Sequence, residues 1–150
     1  TFTESFVLEL GGERIEALNL GPAHSPGDIV VWLPTRKVAI AGDMAFHQRL
    51  LPVFEETDTA AWVESWNNFE ALGAEVIVPG HGAPTTMEPL RKYTVGYLKY
   101  MRGAIGVIVE DGGTLDDAYG VDQSAYAHLD TFDELALLNA GRIFRAMEFE

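Results

Sequence analysis

The stretch that most constrains this chain is Gly21-Pro22-Ala23-His24-Ser25-Pro26-Gly27-Asp28, set between the apolar runs 15–20 and 29–33. Two Pro and two Gly make it a tight, stiff connection between strands. A His in the middle of such a loop is held at a strand end with little freedom, as a scaffold presents a metal ligand or a general base. Two later stretches have the same character. Asp43 follows the run 37–41 as Ala41-Gly42-Asp43, and His81 follows the run 75–78 as Val78-Pro79-Gly80-His81-Gly82. Each of three predicted strands therefore ends in a turn with one metal-competent side chain.

The surrounding pattern predicts an antiparallel meander. Residues 2–10 alternate, Gly11-Gly12 is a hairpin signal, and 14–20 return as a second strand. Residues 28–33 read as a third strand, apolar on both faces and so expected to be buried on both sides. Pro34-Thr35-Arg36 turns into a fourth strand over 37–41. Residues 44–57 show no period yet carry Met44, Phe46, Leu50, Leu51, Val53 and Phe54. Such a segment either walls a site or packs down on the core.

Helices follow. Thr57-Asp58-Thr59 offers an N-cap, and Trp62, Val63, Trp66, Phe69 and Leu72 recur at helical spacing until Gly73. Trp62 and Trp66 read as core anchors. A short strand over 75–78 comes next. A helical stripe then runs from Leu90 to Ile108, weakened by Gly96, Gly103 and Gly106. A short helix is capped at Thr114, and a last one runs from Thr131 to about Met147, interrupted by Gly141. Strands first and helices after predict an α+β arrangement, with helices packed on one face of the sheet.

Composition bounds the function. A chain of 150 residues, 47% hydrophobic, fits one domain with a substantial core. A net charge of −13 argues against nucleic acid or an anionic membrane as the main partner, since both demand a basic face. No apolar run is long enough to cross a bilayer, and the first residues do not resemble a basic signal peptide. The lack of Cys leaves the compartment open, and a cytoplasmic location is the bland expectation. The absence of Cys excludes disulfides, zinc fingers and thiol nucleophiles.

Imidazole and carboxylate converging from rigid backbone is what zinc and similar ions require. His24, Asp43 and His81 are the right types, and their long separations suit ligands gathered from neighbouring strand ends. The three motifs, in this order and with a helix before the last, resemble the metallo-β-lactamase superfamily. The nearest flavour is that of glyoxalase II-like metallo-hydrolases.

The resemblance implies an αββα sandwich with a two-metal site, usually zinc, between its sheets. It would make His24 a ligand of the first metal, Asp43 a bridge and His81 a ligand of the second. A water between the metals would be the hydrolytic nucleophile on a small-molecule substrate. An Asp at the bridging position and the lack of Cys speak against a zinc β-lactamase with a Cys ligand. Iron or manganese would be accepted by the same ligands.

The family's His-x-His-x-Asp-His signature is absent. The four histidines are His24, His47, His81 and His128, none close enough to another to form it. Residues 1–150 thus resemble a single domain, the C-terminal half of the α/β sandwich, with an incomplete metal site holding zero or one ion. Half a sandwich would expose an apolar sheet face, which implies a partner: the missing N-terminal half or a second copy in a homodimer. The alternative is a non-catalytic half-domain that dimerises and binds metal weakly or not at all. His47, four residues after Asp43, is a possible accessory or substrate-contacting residue, whereas His128 reads as structural or surface.

Overall fold

The computed structural model describes residues 2–150. Five strands form one sheet in chain order: β1 (Ser5–Leu10), β2 (Glu13–Leu18), β3 (Val30–Leu33), β4 (Val38–Phe46) and β5 (Val76–His81). The first four make the predicted antiparallel meander, with β1 turning into β2 through Gly11 and Gly12. The fifth is parallel to β4. That parallel step needs a crossover, which α1 (Thr59–Ala71) provides. Asp58 caps α1 by accepting from the Ala61 amide, as the Thr-Asp-Thr signal requires.

The C-terminal helices are α2 (Met87–Leu90), a π-helical turn (Arg91–Val95), α3 (Gly96–Glu110), α4 (Leu115–Tyr119) and α5 (Phe132–Met147). Thr114 and Asp117 close a reciprocal capping box at α4. Two expectations are corrected here. The helical stripe is not weakened at its glycines; the irregularity is the π-turn ahead of Gly96. Gly141 does not interrupt α5: it is buried, and a Cβ there would lie 2.9 Å from the Tyr119 ring, so its role is close packing of α4 on α5.

Cross-strand register sorts the sheet into two faces. Trp32, Ala39 and Ile77 align in one row and are buried, with Val30 and Ala41 beside them. This face carries the helices, and Trp62, Trp66, Phe69, Tyr97, Leu98 and Ile143 pack in the same core. Phe6, Ala17, Val31, Ile40 and Val78 align across all five strands on the other face. There the side chains are half-buried or exposed, with Phe6 55% and Ile40 45% accessible. The third strand is therefore buried on one face rather than two, because no described residue covers the second.

The aperiodic segment packs down. Strand β4 continues through Phe46, and Leu50, Leu51 and Val53 are buried after it. Its backbone groups are satisfied by side chains of distant helices. The buried Asn139 amide accepts from Val53 N–H at 2.8 Å and donates to the Leu51 carbonyl at 2.8 Å and to the Tyr97 hydroxyl at 3.1 Å. Tyr97 in turn donates to Gln123 at 2.8 Å.

Removing the Asn139 amide strands these buried groups, so Asn139→Ala should cost about 3 kcal/mol in urea unfolding. Burial pushes the Tyr97 phenol well above the ordinary tyrosine range. The folded chain holds that proton more tightly than the unfolded one. Its contribution is intact below the unfolded value of about 10 and is lost as pH rises past it. Urea melts at rising alkaline pH should therefore show a decline that is flatter in Tyr97→Phe.

Candidate metal centre

The three predicted ligands sit at one end of the sheet, but not as three equivalent strand-end turns. Asp43 lies inside β4, and His81 is the last residue of β5. The ladder between these strands slips twice beyond Ile40–Val78, pairing Gly42 with Pro79 and Phe46 with His81. The slips bring the Asp43 carboxylate to 3.6 Å from His81 Nε2, with both side chains partly exposed. Gly80 makes the approach possible. A Cβ at this residue would fall 2.1 Å from Asp43 Oδ1 and 2.8 Å from the Gly42 carbonyl carbon.

His24 is presented by its own loop. Asp28 accepts from the Ser25 amide at 2.6 Å, and the Thr57 hydroxyl donates to the His24 carbonyl at 2.7 Å. The ring lies among Phe46, Phe54 and Trp62, with centroids 5.9, 4.7 and 6.0 Å away. Nδ1 is 3.2 Å from the Pro52 carbonyl. A carbonyl only accepts, so Nδ1 carries the proton and the Nε2 lone pair is left available, the tautomer a metal-binding His uses.

His81 differs. Its ring stacks on Phe46 at 5.1 Å, and its Nδ1 is 3.2 Å from Arg49 Nη1. Arginine only donates, so this nitrogen supplies the lone pair, and in the uncharged ring the proton lies on Nε2, facing Asp43. Holding an ion at Nε2 therefore requires Arg49 to release Nδ1. Arg49 Nε is buried without a hydrogen-bond partner among the described residues. Sequence reasoning missed Arg49, because nothing local marks a residue that meets His81 only through the fold.

The structure thus joins Asp43 with His81 and places both rings, His24 and His81, against Phe46. Among the described residues, no three His, Asp or Glu side chains gather into one metal-binding group. The donor chemistry fits a divalent ion: a carboxylate, an imidazole beside it, and a second imidazole in the ligating tautomer. His47 does not join them. Its Nδ1 bonds the Ala83 carbonyl at 2.8 Å, and its amide donates to the His81 carbonyl at 3.0 Å.

The family model described as Metallo-beta-lactamase superfamily matches residues 1–81, which include His24, Asp43 and His81. The chain belongs to the metallo-beta-lactamase superfamily. It is 32% identical over 85 residues to metallo-beta-lactamase type 2 of Bacteroides fragilis, covering 54% of this chain and 34% of that protein. It is 29% identical over 113 residues to a linear primary-alkylsulfatase of a Pseudomonas species, covering 72% of this chain and 21% of that one. The chain therefore spans about a third and a fifth of these relatives. A double mutant of the sec-alkyl sulfatase PisA1 superposes on the whole chain with a TM-score of 0.74, over 26% of its own length and at 18% identity, which speaks for the fold. The fold is thus the hydrolase-like fold of that superfamily, and its C-terminal helices as well as its sheet recur in this solved structure.

Gly80→Ala should force Asp43 off His81. The clash includes backbone, so a loss of about 1–3 kcal/mol is expected in thermal or urea unfolding. The His81 ring signals should shift in NMR spectra of the same variant.

Proposed function

We propose that this chain is the C-terminal, metal-holding half of a metallo-beta-lactamase-fold hydrolase, with zinc as the metal and His24, Asp43 and His81 as its ligands from this half. The observation that carries the reading is the Asp43–His81 pair, brought together by the slipped β4–β5 ladder in a member of this superfamily. Zinc, when bound, supplies Lewis acidity and a water acidified towards neutrality. The chain's residues do the rest. Asp43 and His81 bind from adjacent strands, and the Pro52 carbonyl fixes the His24 tautomer. Phe46, Phe54 and Trp62 pack around the His24 ring and limit its access to water.

The bond cleaved is an ester, a thioester or a related linkage in a small molecule. The alkylsulfatase among the relatives supports including sulfate esters. The site is completed by further ligands, and the apolar sheet face is covered by a second sheet. That sheet comes from the N-terminal half of the fold or from a second copy of this chain. The row from Phe6 to Val78 is a surface that a lone domain in water does not tolerate well.

A second reading is favoured by one observation. Arg49 occupies the His81 lone pair, and the described residues gather no third ligand. On that reading the half-domain is non-catalytic and folds as a homodimer.

Native mass spectrometry separates the two. The hydrolase reading expects about one zinc per chain or per pair, lost in Asp43→Asn and His81→Ala. A protein that stays metal-free in excess zinc removes it. The same spectra report the partner, since a monomer at micromolar concentration would overturn the paired-sheet arrangement for the chain by itself.

A further inference from the structure

Beside the candidate centre lies a second feature that the metal chemistry does not use. It is a cavity of about 520 Å³ lined by His47, Gln48, Tyr93, His128, Leu129 and Asp130. His47 connects the two, because its amide is bonded to the His81 carbonyl. Three departures from regular backbone meet at this cavity. Gln48 and Thr131 hold left-handed conformations, both at φ 63°, which non-glycine residues adopt at a cost. Of the three such residues among those described, only Lys37 lies elsewhere. The third departure is the π-turn Arg91–Val95, which carries Tyr93.

The strained segments are stitched together. Arg49 bridges Asp130 in a parallel pairing, Leu50 N–H donates to the Asp130 carbonyl at 2.9 Å, and Asp130 N–H donates to the Gln48 carbonyl at 2.9 Å. The π-turn is pinned as well, since Thr94 both accepts from and donates to the Phe46 backbone. Irregular backbone held this firmly around a cavity is the arrangement by which folds position binding groups.

The lining groups define what fits. His47 Nδ1 donates to the Ala83 carbonyl, so its Nε2 is an acceptor. Gln48 Oε1 accepts from Ala83 N–H, so its amide nitrogen is left to donate. The Asp130 carboxylate accepts only, and the Tyr93 hydroxyl does both. No described residue hydrogen-bonds the Asp130 carboxylate, the Tyr93 hydroxyl or the His128 ring. The one carboxylate of the lining, Asp130, disfavours an anionic ligand.

Interleaved donors and acceptors match a ligand whose every polar group can both give and take a hydrogen bond. Hydroxyl groups do that, whereas ammonium groups only donate and carboxylates only accept. The half-buried Tyr93 ring, edge-on to the His128 ring at 5.3 Å, adds apolar surface for the carbon skeleton.

We infer that this cavity is a binding subsite for an uncharged polyhydroxylated ligand, a sugar or polyol. Its assignment as the substrate-recognition subsite of the hydrolase rests on the function proposed above; the binding itself does not. The test is an amide NMR titration of the intact chain with maltose, run with zinc and again with a chelator. Saturable shifts confined to Gln48, Leu129, Asp130 and their neighbours are expected in both conditions, in the millimolar range. Asp130→Asn and Tyr93→Phe should each weaken maltose about tenfold, equivalent to about 1.4 kcal/mol, with spectra that otherwise remain those of the folded chain.

Absence of saturable shifts at these amides overturns the inference. So does a butylammonium or butyrate probe that saturates them at lower concentration than maltose. Maltose binding by a chain that takes no zinc would keep the subsite and remove the hydrolase reading.

Discussion

The parallel pairing of β4 with β5 is the constraint on which the rest depends. It is the one long-range step in an otherwise sequential sheet. To make it, the chain must leave the sheet, form α1 and come back, so closing it commits Trp62, Trp66 and Phe69 to the core together with the sheet face beneath them. The same pairing slips where it reaches its C-terminal end, and the slips turn Asp43 and His81 towards one another. A regular ladder would keep each side chain in its alternating place. The glycines at 42 and 80 let two backbones come close enough for the irregular one.

Around that pair the molecule is asymmetric in a way that follows from its two faces. The helix side is closed by apolar packing and by the Asn139–Tyr97–Gln123 chain of hydrogen bonds, which satisfies the backbone of 51–53 without strands of its own. The other side is an apolar sheet face with an exposed edge strand, β1. The packed side holds the buried core, while the second side stays half-buried or exposed. The chain spans about a third and about a fifth of its two named relatives.

Arg49 shows how local identity and tertiary placement can pull against each other. His81 has the residue type, the turn and the partner that metal binding wants. The fold nevertheless lays a guanidinium on the nitrogen whose proton must be held for Nε2 to ligate. The pair can serve as a ligand set only if Arg49 moves, and Arg49 Nε is buried without a hydrogen-bond partner among the described residues.

Much of this was legible in the sequence. Alternation and the Gly11-Gly12 turn fixed the hairpin, helical spacing marked Trp62, Trp66 and Phe69 as core, and capping residues placed the starts of α1 and α4, because all of these depend on neighbours a few residues away. The motifs around His24, Asp43 and His81 also announced the family. Other features were settled only by the fold. The strand ends ran past Asp43 and through His81, since ladder hydrogen bonds come from the partner strand. Gly141 packed rather than broke its helix, since Tyr119 decides that. Arg49 came to rest on His81, and the exposed His128, read as structural or surface, packs edge-on against Tyr93 at 5.3 Å. In each case the deciding contact joins residues far apart in the chain, and local pattern carries no signal for such contacts.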